Sequence, residues 1–417
     1  MMWLRVALPI GAPDPIEYAM NRISIRTSLV ALALLVACGT SESSTGGMGG
    51  AGGVDFTAFQ WTELNGDAPW AARAGLHTVE LDDRFYLMGG RTPVNPATLP
   101  FPIPGASDFW ADVWVSDDEG VRWEQILSND APGHWAPRAY FQAVVKGNAM
   151  YVLGGQDFGI MSNFFNDVWS STDGVTWTEL TSDAGWEGRA GLRAVTFKDE
   201  IYIFGGSQFD DAAIVPGEAP PGIYYNDVWK SADGITWQEM TDDAPWAPRA
   251  GTVVIVKDDY MFLLGGEAGF VCDTQADPDC ELPYFNDVWR SQDGANWELV
   301  TQSAGWSPRP GHQCAVSFDN IVCWGGFGCD TMTDPGCKEP DNPMDVWVSP
   351  DGATWTQVSD SPWNAQSTDD IKYDFEGIAV GNVIYTFGGD RETFDFEDPT
   401  NYLRVDNDVW RYALPAP

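Results

Sequence analysis

The sequence predicts an all-β fold, a six-bladed β-propeller of four-stranded antiparallel blades whose last blade is closed by the N-terminal strand. Three observations carry that expectation. The stretch NDVWKSADGITWQEMTDDAPWAPR at 226–249 recurs as NDVWSSTDGVTWTELTSDAGWEGR from Asn166 and as NDVWRSQDGANWELVTQSAGWSPR from Asn286, with looser copies from Ala111 and Met344 and a last NDVWRY from Asn407. Apolar hairpins ending in Gly-Gly accompany these copies, at 89–90, 154–155, 205–206, 265–266, 325–326 and 388–389. The resulting period of about 50 to 65 residues lies in the range of propellers and solenoids.

Taken in order, the chain begins with a segment that resembles an export signal. Arg22 and Arg26 precede an apolar run at 29–36 that is too short to span a bilayer and reads as the core of a secretory signal. It ends in Leu35-Val36-Ala37-Cys38, which resembles the lipobox of bacterial lipoproteins, and so Cys38 is the expected lipidation site. Because the charged region of a signal should open it, Met20 is the better start, with 1–19 not made and 20–38 the signal peptide. Residues 39–55, rich in Gly and Ser, have nothing to bury and read as a flexible tether. Gly39 after the cysteine does not resemble an inner-membrane retention signal, so the expected location is the outer membrane, periplasmic or surface-facing.

The remainder, 56–417, is expected to form the propeller. Its blade pattern is clearest from Gly191 to Met240. GLRAVTF and EIYIFGG alternate about the polar turn Lys198-Asp199, and NDVWKS and ITWQEM supply strands three and four. The Gly pair lets the backbone turn where a Cβ would obstruct it. Tryptophans recur in strand three (Trp114 to Trp410), in strand four (Trp61 to Trp355) and in the loop beyond (Trp70 to Trp363). Large aromatics at such spacing are expected to pack between neighbouring sheets rather than to stack on sugars. The sixth repeat runs out of chain before a fourth strand, while FQWTEL at 59–64 lacks a sheet, so this segment should pair beside 408–412 and remove the exposed edge.

Arg-x-Gly, an apolar run, Tyr-x-x-Gly-Gly, Asp-Val-Trp and a later Trp together resemble the kelch repeat of galactose-oxidase-like propellers, over 56–411. The turn from Ser116 to Trp123 also fits the Asp-box of sialidases, and the four equivalents are one residue shorter. In both families such turns are structural, the Asp accepting backbone N–H groups and the Gly taking positive φ. The resemblance to galactose oxidases would imply copper held by two Tyr and two His, but His77, His134 and His312 fall in three different blades. Nothing singles out the arginine triad of sialidases or the acid and base of the kelch-type sialic acid epimerases.

In a four-stranded meander, loops two-to-three and four-to-one leave one face. The long insertions at 91–111, 207–226, 267–286, 327–344 and 390–407 are all on it, which makes it the candidate site. Arg73, Arg138, Arg189, Arg249 and Arg309 hold one repeated position and read as a scaffold contact. The position after Gly-Gly instead varies: Arg91, Gln156, Ser207, Glu267, Phe327 and Asp390. These six, expected to point towards the central opening, are the candidate ligand contacts together with Tyr140, Arg193 and His312 at the entrance of strand one; a solvated rim is the alternative.

The seven cysteines divide into the lipidated Cys38 and three pairs. Cys272–Cys280 and Cys329–Cys337 each close a C-D-T-x-x-D-P-x-C loop, and Cys314–Cys323 fall opposite each other across a hairpin. In an oxidising compartment these read as disulfides rather than zinc ligands. The carboxylates of the same loops are candidate calcium ligands but lack a dedicated loop spacing, so no cofactor is expected.

Charge narrows the partners further. With 22 basic and 61 acidic residues the formal net charge is −39, which repels nucleic acid and anionic lipid, so the membrane is met only through the anchor. The reading is a monomeric envelope or surface module that binds a protein or a glycan through its long-loop face, with no catalysis of its own. The alternative is a carbohydrate-active enzyme, an epimerase, lyase or glycosidase, with its site at the central opening. A third is a structural envelope protein whose acidic surface serves solubility alone.

Overall fold

The computed structural model describes residues 54–95, 98, 106–157, 162–209, 222–269, 284–328, 345–364, 372–391 and 403–415. Six four-stranded antiparallel sheets follow one another along the chain. Blade 3 is representative. Arg193–Phe197 is its inner strand, followed by Glu200–Phe204, Val228–Ser231 and the outer Gln238–Thr241. Its first turn, Lys198-Asp199, takes φ of 50° and 62°, the mirror-image geometry that matches a hairpin's twist.

Blade 6 is assembled from both ends of the propeller. Glu376–Val380, Val383–Asp390 and Val405–Ala413 are joined by Gln60–Asn65, which pairs antiparallel with the last strand in the register Trp61↔Tyr412 and Glu63↔Trp410. The predicted closure by the N-terminal strand is therefore what the chain does.

Apolar burial is distributed over six clusters, each drawn from two adjacent blades. The loop tryptophans are the most buried of the three sets: Trp70, Trp135, Trp186 and Trp246 are each 1 % exposed. Each packs edge to face on a strand-four tryptophan, as Trp186 does on Trp237 with centroids 6.0 Å apart and planes at 81°. The turns between strands three and four are self-contained. Ser171 Oγ accepts from the Gly174 amide at 2.9 Å, Asp173 Oδ1 accepts from Val175 and Thr176, and Trp177 donates its indole N–H to the Gly174 carbonyl.

The repeated arginines are clamps between neighbours. Arg189 is held through its backbone by blade 2, where its amide donates to the Phe165 carbonyl and its carbonyl accepts from Gly155. Its guanidinium reaches into blade 3, where it forks onto Asp227 at 2.5 and 2.9 Å and donates to the Gly205 carbonyl at 3.0 Å. Asp227 also accepts from the Trp229 indole at 2.8 Å. The Asp and Trp of Asp-Val-Trp are thus one device, a carboxylate shared by the clamp and the strand-three indole. Blade 6 lacks the arginine, and Lys372 takes its place between Asp408 at 2.5 Å and Asp406 at 3.0 Å.

Of the expected disulfides, Cys314–Cys323 is formed, its cysteines facing each other across the blade 5 hairpin. The Cys272–Cys280 and Cys329–Cys337 loops, Cys38 and the segment before residue 54 lie outside the described residues.

Candidate functional site

The axis of the propeller is ringed by one residue from each blade, two positions before each inner strand. Their backbones form a closed circuit. Tyr140 donates to Gly75, Gly191 to Tyr140, Gly251 to Gly191, Gly311 to Gly251, Asp374 to Gly311 and Gly75 to Asp374, at 2.9 to 3.2 Å. The geometry demands positive φ at every member, between 49° and 64°. Glycine meets that demand without steric cost in blades 1, 3, 4 and 5. Tyr140 and Asp374 stand in the left-handed region where a side chain is disfavoured, so these two blades carry side chains at the mouth where the others carry none.

Directly inside lies a second ring, the first residue of each inner strand: His77, Gln142, Arg193, Val253, Gln313 and Glu376. Five of the six are polar, and they are linked around the axis. Gln142 accepts from the Ala194 amide at 3.0 Å, Gln313 donates to the Phe375 carbonyl at 2.7 Å, and Glu376 faces His77 at 3.5 Å. Val253 breaks the circuit because it has no polar atom to offer. Arg193 spans that gap, donating from Nε to the Thr252 carbonyl at 3.1 Å and from Nη2 to Gln313 Oε1 at 2.9 Å. Two residues further along the strands the next layer, Val79, Val144, Val195, Ile255, Ala315 and Ile378, is wholly apolar. The two rings line a chamber of about 70 Å³ that is open at its mouth.

Burial sets the charge states here. Glu376 is pushed up to about 8 by loss of water, against the opposing pull of Arg193. His77 is held down to about 3, first by burial and then by the Arg193 charge. Their contact at neutral pH is therefore between a carboxylic acid and a neutral imidazole rather than an ion pair. Burial also raises the Tyr140 phenol well above its ordinary value, so it stays protonated.

The residues singled out from sequence fall into two groups. Tyr140, Arg193 and His312 line the chamber. His312 does so through its position beside the ring; its imidazole packs between blades, 5.2 Å from Trp306, where the equivalent residues are Leu, Phe or Thr. The six residues after Gly-Gly lie one step outward, where Arg91, Gln156, Ser207, Glu267 and Asp390 bridge to the residue before the ring. Gln156, Ser207, Glu267, Phe327 and Asp390 are buried there, while Arg91 keeps 12 % of its side chain exposed. Arg91 joins the two side-chain-bearing ring positions to each other's surroundings, donating to Tyr140 Oη at 2.7 Å and to Asp390 at 2.5 Å. Sequence reasoning missed His77, Gln142, Gln313, Asp374 and Glu376. For His77, Gln142, Gln313 and Glu376 the signal was a polar residue at the same point of an otherwise apolar strand; for Asp374 it was a side chain where four blades have glycine.

The same face carries the long connections. After the Gly-Gly step the chain rises as short two-stranded ribbons, Arg91–Pro93 with Ser107–Phe109, Gln156–Asp157 with Asn163–Phe164 and Ser207–Gln208 with Ile223–Tyr224. In blades 4 and 6 the long strands themselves continue upward, pairing Glu267 with Tyr284 and Asp390 with Val405. Among the described residues no group of three His, Cys, Asp or Glu side chains is arranged to hold a metal ion.

Comparison with known proteins agrees with this architecture. Residues 137–170 match the family model described as Kelch motif. Kelch domain-containing protein 3 of Rattus norvegicus is 26 % identical over 270 residues, covering 50 % of this chain and 67 % of that protein, and that of Mus musculus matches equally. An N-(sulfonatooxy)prop-2-enimidothioate sulfolyase of Thlaspi arvense is 30 % identical over 118 residues, 28 % of this chain and 31 % of its own. The solved structure of YjhT superposes with a TM-score of 0.58 at 15 % identity, covering 83 % of this chain and 96 % of that one, a likeness of fold.

Proposed function

The chain is a kelch-repeat propeller, and from that premise we propose that it is a binding module which recognises a protein or a glycan through its long-loop face, held at the bacterial envelope by a lipid on Cys38. The observation that carries the reading is the crown of ribbon stems: the strand two-to-three connections of blades 1, 2, 3, 4 and 6 leave one face of a rigid ring as paired backbone. Such stems fix the roots of recognition loops while leaving their tips free to differ between blades. The kelch motif at 137–170 and the sequence likeness to Kelch domain-containing protein 3 support a protein-binding role, one that kelch propellers commonly serve.

A second reading is favoured by one observation. The Glu376 and His77 pair, a buried acid beside a neutral base in a central chamber, is the arrangement a carbohydrate-active enzyme would need. The interior of that chamber is small, about 70 Å³ or room for roughly five waters, so a sugar would sit at its open mouth.

The test is a glycan array, with a peptide array beside it, probed by the purified chain with and without calcium. Specific binding that is lost when the 392–402 and 270–283 insertions are replaced by Gly-Ser linkers is the expected outcome. Turnover of a free monosaccharide, followed by proton NMR, together with no binding on either array, would overturn the binder in favour of the enzyme. Metabolic labelling with a radioactive fatty acid, abolished by Cys38→Ala, tests the anchor separately.

A further inference from the structure

Among the described residues Arg193 is the one arginine that lines the axial chamber, and its bonding is unlike that of every repeated arginine. The clamps fork onto carboxylates, Arg189 on Asp227 and Arg249 on Asp287. Arg193 is satisfied only by neutral oxygens, the Thr252 carbonyl and Gln313 Oε1, and it forms no ion pair with any described residue. Those two bonds occupy the Nε–Nη2 edge of the guanidinium. The other edge, Nη1 with the second Nη2 hydrogen, donates to nothing. Arg193 is half-buried, so this edge faces the water of the chamber and is open to a ligand.

We propose that the axial chamber is an anion site, in which the free edge of the Arg193 guanidinium takes the carboxylate of a small monocarboxylic acid of one to three carbons.

Every charged or titratable group facing that edge bears on the choice. Blade 1 presents His77 and blade 2 presents Tyr140, both neutral at physiological pH because burial disfavours their charged forms. Blade 4 presents only Gly251, Thr252 and Val253. Blade 5 contributes His312, held neutral by burial and by the positive charges of Arg309 and Arg193. Blade 6 supplies Asp374 and Glu376. The Asp374 carboxylate is drawn aside along the backbone ring, its Oδ1 so close to Gly311 that a Cβ there would lie 2.7 Å from it. Glu376 keeps its proton into the alkaline range and so neither balances Arg193 nor repels an incoming anion.

Charge and size then restrict the ligand. One guanidinium balances at most a monoanion; a phosphate or sulfate dianion would exceed it, in a protein whose formal net charge is already −39. The planar fork matches a carboxylate's two oxygens, which a spherical halide cannot offer. About 70 Å³ accommodates formate, acetate or propionate. Ring glycines at 191, 251 and 311 leave the mouth unobstructed on that side. The inference is independent of the long-loop reading, because it concerns the ring interior and not the crown.

The experiment is calorimetric titration of the full chain with formate, acetate and propionate, against chloride and sulfate at matched ionic strength. Saturable one-to-one binding of the carboxylates, and none of sulfate, is expected. Arg193→Gln should weaken acetate binding at least about tenfold, and Arg193→Lys, which keeps the charge but loses the fork, should weaken it too. Acetate binding should fall from pH 6.5 to pH 9 as Glu376 ionises, and Glu376→Gln should flatten that fall. Should Arg193→Gln not fold, the pH profile of Glu376→Gln decides instead. No saturable binding, equal affinity for sulfate, or acetate affinity independent of both residue 193 and pH would overturn the proposal.

Discussion

Arg189 and Arg193 stand four residues apart at the entrance of one blade, the first buried and the second half-buried, and they do opposite things. Arg189 belongs to the repeated set and is used up: its guanidinium lies 3.8 Å over the Tyr225 ring, forks onto Asp227 and caps the Gly205 carbonyl. Arg193 is unrepeated, reaches across the axis to a residue 120 positions on, and keeps one edge unbonded. The contrast teaches how to read a ring of repeats. A side chain that every blade needs is bound by the blade, and one that a single blade carries at the axis is available to something else.

The largest effect that would break this comparison is on stability. Arg189→Gln strands Asp227 in a pocket built for a cation and unlocks blade 2 from blade 3, and should cost about 3–5 kcal/mol by chemical denaturation. A cost under about 1 kcal/mol would show that the clamp is ornamental and the distinction empty.

A smaller effect sharpens the account of the chamber. Glu376 has its value raised from 4.5 to about 8, so it stabilises the fold fully below pH 4.5 and that contribution is lost as pH rises to about 8. His77 is lowered from 6.5 to about 3, so its contribution is present above 6.5 and is lost as pH falls towards 3. Between 4.5 and 6.5 the two slopes cancel. From pH 6.5 to 8 Glu376 acts alone, and the wild-type chain should lose about 2 kcal/mol relative to Glu376→Gln. Parallel curves for the two proteins over that range would mean that Glu376 is ionised and is the counterion of Arg193.

The smallest effect concerns the backbone circuit. Gly191→Ala places a Cβ at φ of +59° and 3.2 Å from the Ala250 Cβ, and should cost about 1 kcal/mol. Tyr140→Gly removes the same strain from blade 2 but also the phenol that Arg91 holds, so its stability should change by less than about 1 kcal/mol in either direction. Thermal unfolding of the two variants side by side checks whether the ring tolerates side chains only where they are anchored.

Much of the scaffold was legible in the chain because each scaffold device is written five or six times. Gly-Gly at 205–206, Asp227-Val228-Trp229 and Trp186 each recur in register, and a pattern repeated at a fixed period survives any single exception. Blade closure was legible for the complementary reason, a strand without a sheet at one end and a sheet without a strand at the other. The chamber was only partly legible. Varying residues after Gly-Gly promised contact with the opening, yet ladder pairing to Ala74, Ala139 and their equivalents sets them one step outward. His77, Gln142 and Glu376 escaped notice since each sits alone at the start of an apolar strand, and only closure of the ring brings residues 77 and 376 face to face. Lys372 was hidden by being a lysine: Lys372-Tyr373-Asp374 occupies the place of Arg-Ala-Gly with all three residues changed.

One paired measurement tests the central claim most directly: denaturation and acetate titration of Arg189→Gln and Arg193→Gln under identical conditions. The account predicts that Arg189→Gln loses about 3–5 kcal/mol of stability, and that Arg193→Gln stays within about 1 kcal/mol of wild type while its acetate affinity falls at least about tenfold. An Arg193→Gln protein that unfolds like the clamp variant, or that binds acetate as wild type does, would contradict it.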